Sequence, residues 1–132
     1  MALHPGIKIV MAGNRDILPP GLRHLVEKVE ALSSDHQGAQ LNLLIAYDPW
    51  DELTEALNRC PEPSRISRYL QVSTPVDLII RTGGAPLLSN FLPLQSGFAR
   101  FYYVDKLFND FTVDDLQQIM HTFSGLNRQF GT

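Results

Sequence analysis

Four short apolar runs, at residues 7–11, 41–47, 76–80 and 101–104, constrain this chain most, because the stretches between them repeat their apolar residues at helical spacing. Pro19-Pro20 opens a predicted helix through about Ser33. Proline is tolerated in a first turn, and Leu22, Leu25, Val26, Val29 and Leu32 share one face. Asp48-Pro49 breaks the second run, and residues 50–59 read as a helix with Leu53, Ala56 and Leu57 turned to the core. Residues 60–64 read as a loop, residues 66–70 as a further helical turn and residues 90–99 as partly helical, with Pro93 limiting the helix. Thr112-Val-Asp-Asp115 has the form of a helix-starting capping box, followed by the stripe Leu116, Ile119, Met120, Phe123 and Leu126.

Alternation of this kind predicts an α/β fold: a mainly parallel sheet, here of about four strands, with helices on both faces. The run 76–80 is apolar on both faces apart from Asp77, as a strand covered from both sides requires. The expected organisation is a single domain over residues 1–132, and 44% hydrophobic residues suffice for a modest core.

Composition excludes several classes of function. A net charge of -3 and the lack of a basic stripe argue against nucleic acid as a partner. The single cysteine, Cys60, permits no intramolecular disulfide, and His4, His24, His36 and His121 are scattered without ligand spacing. No apolar run approaches the roughly 20 residues of a membrane span. Residues 1–5 lack the charged start and apolar core of a targeting peptide, so the expectation is a soluble, cytoplasmic protein.

The chemistry concentrates where the third apolar run enters Arg81-Thr-Gly-Gly-Ala-Pro-Leu-Leu-Ser-Asn. A strand ending in an arginine and two glycines, followed by a hydroxyl residue opening a helix, suits an anion. Gly83 and Gly84 allow a tight turn that converges N–H groups on phosphate-type oxygens, and Arg81 adds a two-pronged charged contact. The same elements also make an ordinary turn. Because open parallel sheets bind ligands beyond the C-terminal ends of their strands, the position of Arg81 favours the anion.

Residues 77–111 resemble a block of the cis-prenyltransferase family, which includes undecaprenyl diphosphate synthase. The resemblance is carried by Arg81-Thr-Gly-Gly, Ser89-Asn-Phe-Leu, Gln95 and Arg100-Phe-Tyr-Tyr-Val-Asp-Lys-Leu-Phe-Asn-Asp-Phe111. A weaker likeness covers residues 7–56, so nearly the whole chain is similar to the C-terminal portion of such an enzyme. The family's N-terminal aspartate-glycine-asparagine motif has no counterpart; Met11-Ala-Gly-Asn-Arg15 mimics it with alanine in place of the aspartate.

Several positions depart from the family pattern. Leu87 stands where a second arginine is usual, Ala85 where an acidic residue often follows, and Arg100 where a metal-binding glutamate precedes the aromatic strand. Gln129-Phe130-Gly131 replaces the terminal R-x-G, with Arg128 one place early, and Trp50 lies in a passage that replaces glycine-glycine-arginine. The resemblance implies a diphosphate-binding set of Arg81, Gly83, Gly84, Ser89, Asn90 and Arg100. It assigns no catalytic residue and no metal ligand in this chain. Arg100 is either a surface or ion-paired residue, or a cation standing in for the lost metal. Tyr102 and Tyr103 are either tunnel-lining or core.

These features imply a degenerate homologue, expected as one subunit of a heteromeric or otherwise partner-dependent prenyl-diphosphate synthase. Its expected partners are an isoprenoid diphosphate and a second chain, in a homodimer or a heteromer with a full-length relative. Magnesium is expected only through that partner subunit. The alternatives are a non-catalytic isoprenoid-diphosphate binding protein and a metal-independent prenyltransferase.

Overall fold

The structure, a computed structural model, describes residues 6–125. His4, Leu126, Arg128 and Gln129-Phe130-Gly131 lie outside the described residues. The chain forms two compact units, Met1–Ser73 and Thr74–Thr132.

The first unit runs β1 (Lys8–Ala12), α1 (Pro20–Ser33), β2 (Gln40–Leu44), α2 (Pro49–Arg59) and a 3-10 helix (Pro63–Tyr69). The two strands are parallel, with Lys8 opposite Gln40 and Ala12 opposite Leu44. In a parallel pair, alternate N–H groups point away from the partner strand and need acceptors elsewhere. Helix α1 supplies them to β1: Ile9 N–H donates to Ser33 Oγ at 3.0 Å and Met11 N–H to Glu30 Oε1 at 2.8 Å. Ser33 is fully buried, and this side of β1 is closed to a further strand.

Strand β2 ends at Leu44 rather than Tyr47, and Ala46 takes a positive φ of 51°. Gly13, also at positive φ (125°), crosses so close to this backbone that a Cβ there would meet Ile45 O at 2.1 Å. The Asp48 carboxylate caps α2, accepting Trp50 N–H at 2.8 Å and Asp51 N–H at 3.3 Å, with Pro49 at the first helical position.

The inward face of α2 differs from expectation. Ala56 is buried, but Leu57 is exposed and Glu52 takes the interior position. Its carboxylate is tolerated there because Tyr47 Oη–H donates to Oε2 at 2.7 Å and Val72 N–H to Oε1 at 3.0 Å.

The second unit contains β3 (Leu78–Thr82), β4 (Arg100–Val104), a short 3-10 helix (Phe108–Asp110) and α3 (Val113–Ser124). These strands also form a parallel pair, so the strands of the described residues make two two-stranded parallel sheets. Strand β3 starts two residues later than expected and therefore includes Arg81 and Thr82. No helix forms over residues 90–99. Ser89, Asn90 and Leu92 have φ of 51°, 58° and 47°, outside right-handed helical geometry, and Pro93 disfavours helix in the residue before it. The segment closes instead as successive turns, with Phe91 N–H donating to Leu88 O and Gln95 N–H to Leu92 O.

The capping box forms as expected: Thr112 Oγ1 accepts Asp115 N–H at 3.2 Å, and Asp115 Oδ2 accepts Thr112 N–H at 2.9 Å. Within the stripe of α3, Ile119 and Phe123 are half-buried whereas Leu116 and Met120 are exposed.

Candidate functional site

Alternation along β3 places Ile79 and Arg81 on one face of the sheet. The register sets Phe101 opposite Ile79 and Tyr103 opposite Arg81, so the same face carries two aromatic rings. Those rings stack at 6.2 Å between centroids with 23° between planes. The turn segment passes over this face and contributes Leu87, Leu88, Ser89 and Phe91 to a cleft of about 380 Å³. Arg81 and the hydroxyl residues Thr82 and Ser89 thus line one cleft with mainly apolar and aromatic walls.

Arg81 is half-buried, and among the described residues its side chain has neither a hydrogen bond nor an ion pair. A guanidinium has five N–H donors and keeps its charge at any physiological pH. Withdrawing it partly from water without a carboxylate costs free energy that an anionic ligand would return. Ser89 can donate one further hydrogen bond to such an anion. Its backbone lies in the left-handed region, which is uncommon for a residue with a side chain and occurs disproportionately at functional positions.

The remaining members of the expected set are placed differently. Gly83 N–H donates to Lys106 O at 2.8 Å and Gly84 N–H to Val104 O at 3.2 Å, so these two donors are engaged by β4 and its following loop instead of converging on an open anion site. The glycines instead permit a close crossing: Gly84 has φ of 70°, and a Cβ there would meet Asp105 Oδ1 at 2.9 Å. Asn90 is exposed and does not line the cleft. Arg100 stands opposite Leu78, at the beginning of β4 and the other end of the sheet from Gly83. Because no helix starts at Ser89, no helix N-terminus contributes there. Leu87 lines the cleft as an exposed apolar residue at the position expected for a second arginine.

Asp105 was not singled out by the sequence, although it directly follows the aromatic strand. It places a carboxylate beside Gly84, at the same sheet end as Arg81. Among the described residues, no three of His, Cys, Asp or Glu are grouped as a metal site.

A family model described as "Putative undecaprenyl diphosphate synthase" matches residues 1–131. The chain belongs to the cis-prenyltransferase family. An isoprenyl transferase of Aquifex aeolicus is 33% identical over 135 residues, covering 96% of this chain and 58% of that protein. A Campylobacter jejuni protein titled a probable undecaprenyl diphosphate synthase shares the fold with a TM-score of 0.88 at 27% identity, over 96% of this chain and 64% of the other. Lavandulyl diphosphate synthase from Lavandula x intermedia, solved with dimethylallyl diphosphate, gives a TM-score of 0.85 at 28% identity, over 96% and 61% of the two chains. The fold is therefore that of cis-prenyltransferases, and the chain spans about three-fifths of the length of these relatives. No helix of the described residues is long and apolar enough to cross a membrane.

Proposed function

We propose that this chain carries a diphosphate-binding part of a cis-prenyl diphosphate synthase, transferring prenyl groups to isopentenyl diphosphate, and that it acts together with residues from outside these 132. The observation that carries the reading is Arg81: a half-buried guanidinium without a partner among the described residues, facing a cleft with a hydroxyl and an aromatic wall. In this reading, Arg81 grips the diphosphate with two parallel N–H donors, Ser89 adds a hydrogen bond, and Phe91, Phe101 and Tyr103 enclose the short isoprenyl part. Binding of this kind orients the substrate. It does not by itself stabilise the charge separation of prenyl transfer, which needs groups whose interactions strengthen in the transition state.

The positive charge of Arg100 at a position where the family resemblance implies a metal-binding glutamate supports dependence on another segment or subunit. The test measures incorporation of labelled isopentenyl diphosphate into prenyl diphosphate by this chain alone and when co-purified with a full-length relative. The expected result is no turnover alone and turnover in the complex that falls at least tenfold with Arg81→Ala. Turnover by the chain alone would contradict partner dependence.

A non-catalytic binding protein is the second reading. It is favoured by the same charge reversal, and it predicts diphosphate binding with no turnover in any complex.

A further inference from the structure

The first unit holds a second polar cleft, of about 410 Å³, beyond the C-terminal end of β1. Its charged lining consists of Arg15, Arg23 and Arg59 with Asp16 and Glu55. The three arginines differ in what holds them. Arg15 is committed to Glu30, with Nη1–Oε2 at 2.8 Å and Nη2–Oε1 at 2.7 Å, and also donates to Met11 O. Arg23 pairs with Asp16 at 2.6 Å and with Glu27 at 3.7 Å, but Asp16 is 86% exposed and such a pair contributes little.

Arg59 has no carboxylate partner among the described residues. Its Nε donates to Glu55 O at 3.3 Å and its Nη2 to Tyr69 O at 2.8 Å, so two main-chain carbonyls orient the guanidinium, which makes no direct contact with a carboxylate among the described residues. The floor is also fixed. Gln71 accepts Gly13 N–H at 2.6 Å through Oε1 and donates to Glu55 Oε2 at 3.0 Å, tying the end of β1 to α2.

We infer that this cleft is a separate binding site for a phosphate or diphosphate group, held by Arg59 and by Arg23 after exchange of its exposed Asp16 contact. A guanidinium positioned by carbonyls retains further donors in a fork that fits two phosphate oxygens. A multiply charged phosphate competes better than one exposed carboxylate for Arg23. The C-terminal end of a parallel strand is also where open α/β sheets take their ligands. The inference is independent of the Arg81 cleft, which lies in the other unit.

The test titrates the full 15N-labelled chain with inorganic phosphate and, separately, inorganic diphosphate, following amide shifts. Saturable shifts are expected at Gly13, Asn14 and Gln71. They should persist in Arg81→Ala and require at least tenfold more ligand in Arg59→Gln, which retains a donor toward the carbonyls and removes the charge. The spectrum of Arg59→Gln without ligand serves as the check of folding, and Arg23→Gln provides an independent second variant. Absence of saturable shifts at these residues, or titration as strong in Arg59→Gln and Arg23→Gln as in wild type, would overturn the site. Shifts lost with Arg81→Ala and kept with Arg59→Gln would overturn it as well. Stronger saturation by diphosphate than by phosphate would identify the larger group as the ligand.

Discussion

Arg81 stands opposite Tyr103 in the parallel register while Arg100 stands opposite Leu78, so the two arginines lie three strand positions apart along the sheet. At about 3.3 Å per residue this is roughly 10 Å of travel, before the spacing between strands is added. One guanidinium faces the aromatic cleft, and the other sits exposed at the opposite end. A single diphosphate bound at Arg81 is therefore not shared with Arg100 of the same chain, which argues against Arg100 as an intramolecular replacement for the metal.

Glu30 ties α1 to β1 and to the segment that follows it, accepting from Met11 N–H and from Arg15. The Arg15 hydrogen bond, assisted by Met11 N–H, holds its carboxyl below its ordinary value of 4.5, against the opposing effect of burial. The unfolded chain therefore takes up the proton first as pH falls. The contribution is present above about pH 4.5 and is lost as pH drops through the lower folded value. Glu30→Gln should cost about 1–2 kcal/mol at pH 7 by urea unfolding. The gap from wild type should narrow at pH 3, and a pH-independent gap would contradict this account.

At the start of α3, Lys106 Nζ lies 2.7 Å from Asp115 Oδ1, and Thr112 donates to the same carboxylate through its N–H and its hydroxyl. The lysine contact first, then the two threonine bonds, bring the Asp115 carboxyl down to about 2 from 3.8. The associated stability is lost as pH falls from near 3.8 toward 2. Carboxyl-carbon NMR should show this depressed midpoint and a clear rise in Lys106→Met. Thr112→Ala should in addition cost about 1 kcal/mol through loss of the cap.

Gly13→Ala should be among the most destabilising single substitutions in the first unit. It would strain a backbone at φ of 125° and drive a methyl group to 2.1 Å from Ile45 O, a main-chain atom that cannot swing aside. A loss of about 2–4 kcal/mol in chemical denaturation is expected. A loss below 0.5 kcal/mol would show that the loop after β1 rearranges freely.

The order of strands and helices was legible because the apolar runs and amphipathic spacing are strong local signals. The capping box at Thr112 and the proline start of α1 were legible for the same reason. Glu52 was not, since residues 52 and 56 share a helical face as residues 53 and 57 do, and only Tyr47 and Val72 decide that a carboxylate can occupy the interior. The absent helix over 90–99 was likewise hidden. Three left-handed residues just before Pro93 redirect the chain, and of these only Asn90 is of a type enriched at positive φ. Arg81 and Ser89 were singled out by their motif, and both line one cleft. The engagement of the Gly83 and Gly84 N–H groups depends on a register with β4 that no local pattern specifies.

The most direct test of the Arg81 cleft is calorimetric titration of the purified chain with isopentenyl diphosphate, comparing wild type, Arg81→Ala and Arg100→Ala. The geometry predicts that Arg81→Ala weakens binding at least tenfold and that Arg100→Ala stays within twofold of wild type. Equal loss in both variants, or binding that survives Arg81→Ala and disappears with Arg100→Ala, would contradict it.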